Sequence, residues 1–136
     1  MNDDLFRIRQ TANRLMVPLL WLQVPIIGLV AWLTGNDWIE AGGLAILIDA
    51  MMTAAWLWRP DAQSTRLTVA IAYVAMVSLI VASCKGSYLQ IDAHMYFFAA
   101  LAILAVYCDR DVVLAGAGAI AGQHLVMNFV APALVF

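Results

Sequence analysis

Five apolar runs, each long enough to cross a bilayer, follow one another in this chain with only short polar breaks between them. Crossing about 30 Å of hydrocarbon takes about 20 apolar residues in a helix. Runs of that length fall at 15–34, 39–58, 67–84, 88–108 and 112–136, interrupted by GNDW, RPDAQSTR, KGS and DRD. In lipid the backbone must satisfy its own hydrogen bonds, so each run predicts a helix. Breaks this short force consecutive helices to pack antiparallel. The expectation is an all-α, polytopic transmembrane bundle of five spans forming one domain over 15–136. Composition agrees: 65% of the 136 residues are hydrophobic and 12% charged, with mean hydropathy +0.88. A soluble domain of this size has too few charges here to build its surface. The apolar content excludes disorder, and a net charge of −2 argues against a nucleic-acid partner.

The cations are unevenly placed. Arg7, Arg9, Arg14, Arg59, Arg66 and Arg110 fall on one side of the expected topology, and Lys85 alone falls on the other. By the positive-inside rule the N-terminus is cytoplasmic. Trp32, Trp38 and Tyr88 then mark the outer interface, and Trp56, Trp58 and Tyr107 the inner one. Asp3 and Asp4 stand where a secretory signal carries cations, so residues 1–14 read instead as a cytoplasmic, interfacial amphipathic segment on the inner leaflet. Pro18 and Pro25 predict kinks in the first span. Cys84 and Cys108 fall at opposite ends of the bundle, too far apart for a disulfide. An odd number of spans ending at Phe136 predicts that a sixth span and a cytoplasmic signalling module lie outside this chain.

Polar side chains at mid-span are costly in lipid and point to function. Gln23, Asp49, His94 and His124 each fall about 12–18 Å from the outer end of their spans at 1.5 Å per residue. Four helices thereby bring a polar group to one level, with Gln123, Met127 and Asn128 beside His124. Asp92 lies nearer the headgroups and shares a stripe with Tyr96, turned away from His94. A metal-bound imidazole gives its other N–H to a carboxylate or a carbonyl, which makes Asp49 a candidate partner for His94. Gly118 and Gly122 predict a close helix-packing face. The bland reading is that both histidines only bridge helices. The sharper one is ligation: facing imidazoles can hold the iron of haem b axially, or a copper ion together with Met127, Met95 or Cys84. The aromatic and small-residue surroundings favour haem of the two. No HExxH, CxxC, Walker or GxSxG motif is present, and no enzyme active site is expected.

Two stretches, QIDAHMYFFAALAIL at 90–104 and QHLVMNFVAPALVF at 123–136, are joined through a YCD turn at 107–109. They resemble the N-terminal multi-span sensor region of bacterial methyl-accepting chemotaxis proteins of the alphaproteobacterial type. The likeness covers the last third of the chain in sequence and the rest only in span pattern. It implies a location in the bacterial inner membrane and a further span leading into a cytoplasmic signalling coil. Its matching positions are Asp92, His94, Tyr96, His124 and Asn128. It also implies a histidine where Gln123 stands and another near Met16, so either a metal site of that group is altered here or the histidines are structural. The leading expectation is a non-catalytic sensory domain, embedded in lipid and assembled as a homo-oligomer, a dimer above all, or with its signalling module. The alternatives are an oligomeric subunit that transports protons, ions or small solutes, and a structural membrane partner subunit.

Overall fold

A computed structural model describes residues 3–134 as six α-helices. These are α1 (Asp3–Leu33), α2 (Trp38–Trp58), α3 (Gln63–Ser83), α4 (Leu89–His94), α5 (Tyr96–Leu104) and α6 (Arg110–Val130). A 3₁₀ turn (Ala105–Tyr107) follows α5, and another (Pro132–Leu134) follows α6. The fourth expected span is therefore one path in two pieces, Leu89–Tyr107, and among the described residues five segments are long and apolar enough to cross a membrane. The break falls at Met95, where Met95 N–H donates to Asp92 and Phe98 N–H to the Met95 carbonyl, three residues back in each case. This local tightening is the 3₁₀ pattern within an otherwise α-helical path.

The exterior is largely apolar, and the interior is an apolar core into which a few polar side chains are set. Leu47, Leu57, Phe98, Leu125 and Phe129 are exposed, while Asn13, Gln23, Asp49, Arg66, Gln90 and Asp109 are buried. Such an apolar exterior suits lipid as solvent. The central helix is α3, packed by α1 and α2 on one side and by α5 and α6 on the other. Tyr73, Val74, Met76 and Val77 on α3 are fully enclosed. The outermost helix is α6, which is the least buried of the five paths.

The arginine-bearing end is closed by an ionic clamp. The Asp109 carboxylate caps α6, accepting from Asp111 N–H, and pairs with Arg66 at 3.1 Å and Arg9 at 3.6 Å. Arg9 also donates to the carbonyls of Tyr107 and Cys108, and Cys108 takes a left-handed turn at φ +47°. The Tyr107 hydroxyl donates to Asn13 at 2.7 Å, and Asn13 donates on to the Pro60 carbonyl. The YCD turn is thus a hub: Tyr107 fills the core, Cys108 reverses the chain and Asp109 gathers two arginines. At the opposite end Thr34 and Asn36, after α1, donate to the Ser83 carbonyl at the close of α3.

Three expectations are corrected. Over the described part of the expected 1–14 segment there is no boundary at 14, since α1 runs unbroken from Asp3 through Pro18 and Pro25. Asp3, Asp4, Phe6, Arg7 and Ile8 are exposed, while further along Gln10 donates to Asp61 and Ala12, Asn13 and Met16 are buried. The last span stops at Val130 because Pro132 pushes Ala131 out of the helical region, to φ −152° and ψ 68°. Val135 and Phe136, the last residues of that expected span and of the second resemblance string, lie outside the described residues. Gly118 and Gly122 are not a packing face within the chain, because a Cβ at either would meet nothing within 4 Å. The close approach is one turn earlier, at Gly116, where a Cβ would stand 2.6 Å from a Leu104 methyl.

The clamp predicts a large effect from a small change. Asp109→Asn leaves Arg66 buried without its counter-ion and should lower stability by about 3 kcal/mol. Reversible unfolding in mixed micelles checks this; an unchanged midpoint would show that Asp61 and solvent already satisfy Arg66.

Candidate functional site

His94 is the last residue of α4, and His124 lies in the final two turns of α6. The expectation that these two histidines share a level holds: their ring centroids are 5.7 Å apart with planes at 68°. Each ring is fixed by its own helix. Nδ1 of His94 bonds the Gln90 carbonyl at 2.9 Å, and Nδ1 of His124 bonds the Ile120 carbonyl at 2.9 Å, each four residues back. A carbonyl only accepts, so Nδ1 carries the proton in both bonds. In the neutral ring Nε2 then keeps its lone pair. Both side chains are half-buried, so these lone pairs sit at the rim of the core rather than in its centre.

That tautomer is the one a metal ligand needs, with the backbone supplying the supporting acceptor. It also corrects the expectation that Asp49 supports His94: the supporting group is the Gln90 carbonyl. Sequence phase gives the face a residue occupies but not which helix lies opposite, and Asp49 faces the α1–α2–α3 core. Phe97 bears on the fit of the two cofactors considered. Its ring lies 5.1 Å from His124 and 6.0 Å from His94, so the three centroids form a nearly equilateral triangle. Phe97 therefore stands in the plane midway between the imidazoles, where a porphyrin held by both would have to lie. These residues do not fit haem. A single ion between the two Nε2 atoms needs no such plane. Among the described residues no group of three or more His, Cys, Asp or Glu side chains could hold a metal, so any such ion has two protein ligands of that kind.

The other mid-span polar groups form a second, separate centre. Gln23 Nε2 donates to the Tyr96 hydroxyl at 3.1 Å, and the Tyr96 and Tyr73 hydroxyls are 3.1 Å apart, one donating to the other. Tyr96 thus joins α5 to α1 and α3, turned away from His94 as its phase implied. Sequence reading missed Tyr73; the available signal was a phenol in the middle of an apolar run, which needs a partner once buried. Gln23, Asp49 and Tyr73 all lie about 15 Å from the ends of their helices. Asp49 is 0% exposed, and neither of its carboxyl oxygens nor Gln23 Oε1 has a hydrogen-bond partner.

The remaining candidates lie elsewhere. Asp92 and Asn128 are exposed. Gln123 and Met127 line a cavity at the end of the bundle opposite the arginines, shared with Ser83 and Lys85. The single polar layer expected from depth is thus divided by helix packing into a tyrosine–glutamine centre, a histidine pair and an end cavity. No protein-family model, curated protein or solved structure matches the chain.

The tyrosine centre carries its own prediction. Tyr96→Phe strands the Gln23 amide and should cost about 1–3 kcal/mol, the penalty of an unmet buried donor. Adding Gln23→Leu should recover much of that loss in a double-mutant cycle. Strictly additive losses would mean that the two side chains are not coupled.

Proposed function

We propose that this chain is a non-catalytic sensory domain of a chemoreceptor-like signalling protein, in a bacterial inner membrane with its N-terminus cytoplasmic. Its sensing element is the His94–His124 pair, which receives a single soft cation, copper in its cuprous state. The observation that carries this reading is the matched tautomer: both Nδ1 atoms are tied to carbonyls of their own helices, and the two rings are in contact across the gap between α4 and α6. Cuprous copper accepts imidazole ligands and low coordination number, which suits a site with two nitrogens. The arginines gathered at one end support the orientation through the positive-inside rule. The likeness of the 90–104 and 123–136 stretches to chemoreceptor sensor regions supports the biological role.

Signalling follows from where the two ligands sit. His94 ends a short helix at the Met95 break, and His124 rides on the least buried helix. Ligation ties these two elements together, and the ion shifts the protein toward whichever packing holds the imidazoles closer. Purified protein should take up one cuprous ion per chain in competition with a chromogenic chelator. His94→Ala and His124→Ala should each abolish that uptake. Equal uptake by wild type and both variants, or none by wild type, would overturn the proposal.

Asp49 favours a second reading, an oligomeric subunit for proton or ion transport. A carboxyl group that is fully enclosed and without a partner at mid-span is what a proton path requires. Proteoliposomes should then show a pH-gradient-driven flux that Asp49→Asn removes. Flux no greater than in empty vesicles would dispose of this reading and leave the sensory one standing.

A further inference from the structure

A cavity of about 460 Å³ opens at the end of the bundle opposite the arginines, between the start of α2, the close of α3 and the last turns of α6. Its polar lining is of both signs and partly unspent. Ser83 is 3% exposed and its hydroxyl has no hydrogen-bond partner, and the Oε1 of Gln123 is likewise enclosed and unpartnered. Asp37 and Glu40 bring two carboxylates to the same lining, and Lys85, the only lysine of the chain, brings an ammonium. Asp37 is held in place because its Oδ1 caps α2, accepting from Ile39 and Glu40 N–H. Leu79 contributes to an apolar floor. An apolar recess with a few convergent polar groups is the usual form of a small-molecule site, and idle buried donors and acceptors are costly unless something meets them.

We propose that this cavity binds a zwitterion through separate subsites for its two charges. The carboxylates of Asp37 and Glu40, with Gln123 Oε1, accept from an ammonium. Lys85 and the Ser83 hydroxyl donate to an anionic group, and the apolar floor takes a short hydrocarbon chain. Each unmet atom of the lining then has a partner of the right kind: Oε1 only accepts, and the hydroxyl has a proton to give. Two sources carry this chemistry, a free apolar amino acid and the headgroup of phosphatidylethanolamine. The site shares α6 with the histidine pair through Gln123 and Met127 but uses neither imidazole, so neither proposal depends on the other.

The test has two arms on the full chain. In delipidated detergent, calorimetric titration with L-leucine is compared with isoamylamine, which lacks the carboxylate, and isocaproate, which lacks the ammonium. In vesicles of equal phosphatidylethanolamine and phosphatidylcholine, native mass spectrometry reads which lipid stays bound. Leucine should bind at least about tenfold more tightly than either half-molecule, or phosphatidylethanolamine should be retained over phosphatidylcholine by a similar factor. The first result assigns a free ligand and the second a headgroup. In either arm Glu40→Gln and Lys85→Gln, both at exposed positions, should each weaken binding by about tenfold. The proposal falls if neither arm shows selectivity, if isoamylamine binds as well as leucine, or if both variants bind like wild type with an unchanged melting point.

Discussion

In hydrocarbon there is no water to satisfy a polar group, so every donor and acceptor that enters the bundle must find its partner in the protein or pay several kcal/mol for lacking one. That constraint arranges this molecule. It makes the backbone helical, and it sends Leu47, Phe98 and Leu125 outward while Arg66, Asp109 and Gln23 turn inward. It also explains why both ends are knit by side chains reaching backbone carbonyls. Arg9 and Asn13 do so at one end, Thr34 and Asn36 at the other. Groups that meet the constraint hold the fold together. The few that do not, Asp49, Gln23 Oε1, Gln123 Oε1 and Ser83 Oγ, mark where function is to be sought.

Much of this was legible in the residues. The α2 and α3 spans follow from run length, and their bounds fall close to those expected. The common level of His94 and His124 follows from counting residues along antiparallel helices, and the two rings do meet. The turn of Tyr96 away from His94 follows from helical phase. What stayed hidden depends on which helix lies beside which. Phase puts Asp49 on an inward face, but only the packing of α2 on α1 and α3 separates it from His94. Gly118 and Gly122 have the spacing of a packing face. Contact instead falls at Gly116, because α6 meets α5 at Leu104, and no spacing rule sees a neighbour. How residues 3–14 meet the rest of the bundle was hidden for the same reason: an amphipathic pattern does not show that Arg9 and Asn13 reach the carbonyls of Tyr107 and Pro60. The Pro132 stop was visible in the sequence and was outweighed by the apolar run continuing beyond it.

The polar interior has a division of labour that depth alone does not show. Gln23, Tyr96 and Tyr73 tie α1, α3 and α5 together. Both imidazoles lie on α4 and α6, each of which packs on α3, with Gly116 of α6 set against Leu104 of α5 and the Asp109 clamp closing one end. Ligands carried on two different helices, one of them the least buried of the bundle, are the arrangement in which an ion with unequal affinity for two packings moves something. Under the proposed function the break at Met95 lets α4 follow His94 without disturbing the Tyr96 centre one residue away. Under the same reading Phe97, whose ring stands beside both imidazoles, makes a single ion rather than a macrocycle the group the pair takes.

Everything proposed for the histidine pair rests on its two Nε2 atoms being unprotonated and facing one another. A long-range ¹H–¹⁵N correlation spectrum of histidine-labelled protein, freed of any affinity tag, reads this directly because the chain has only two histidines. The account predicts both rings in the Nδ1–H tautomer at neutral pH, with both Nε2 signals moving together on addition of one equivalent of cuprous ion. An Nε2–H tautomer at either ring, or a shift confined to one of them, would contradict it.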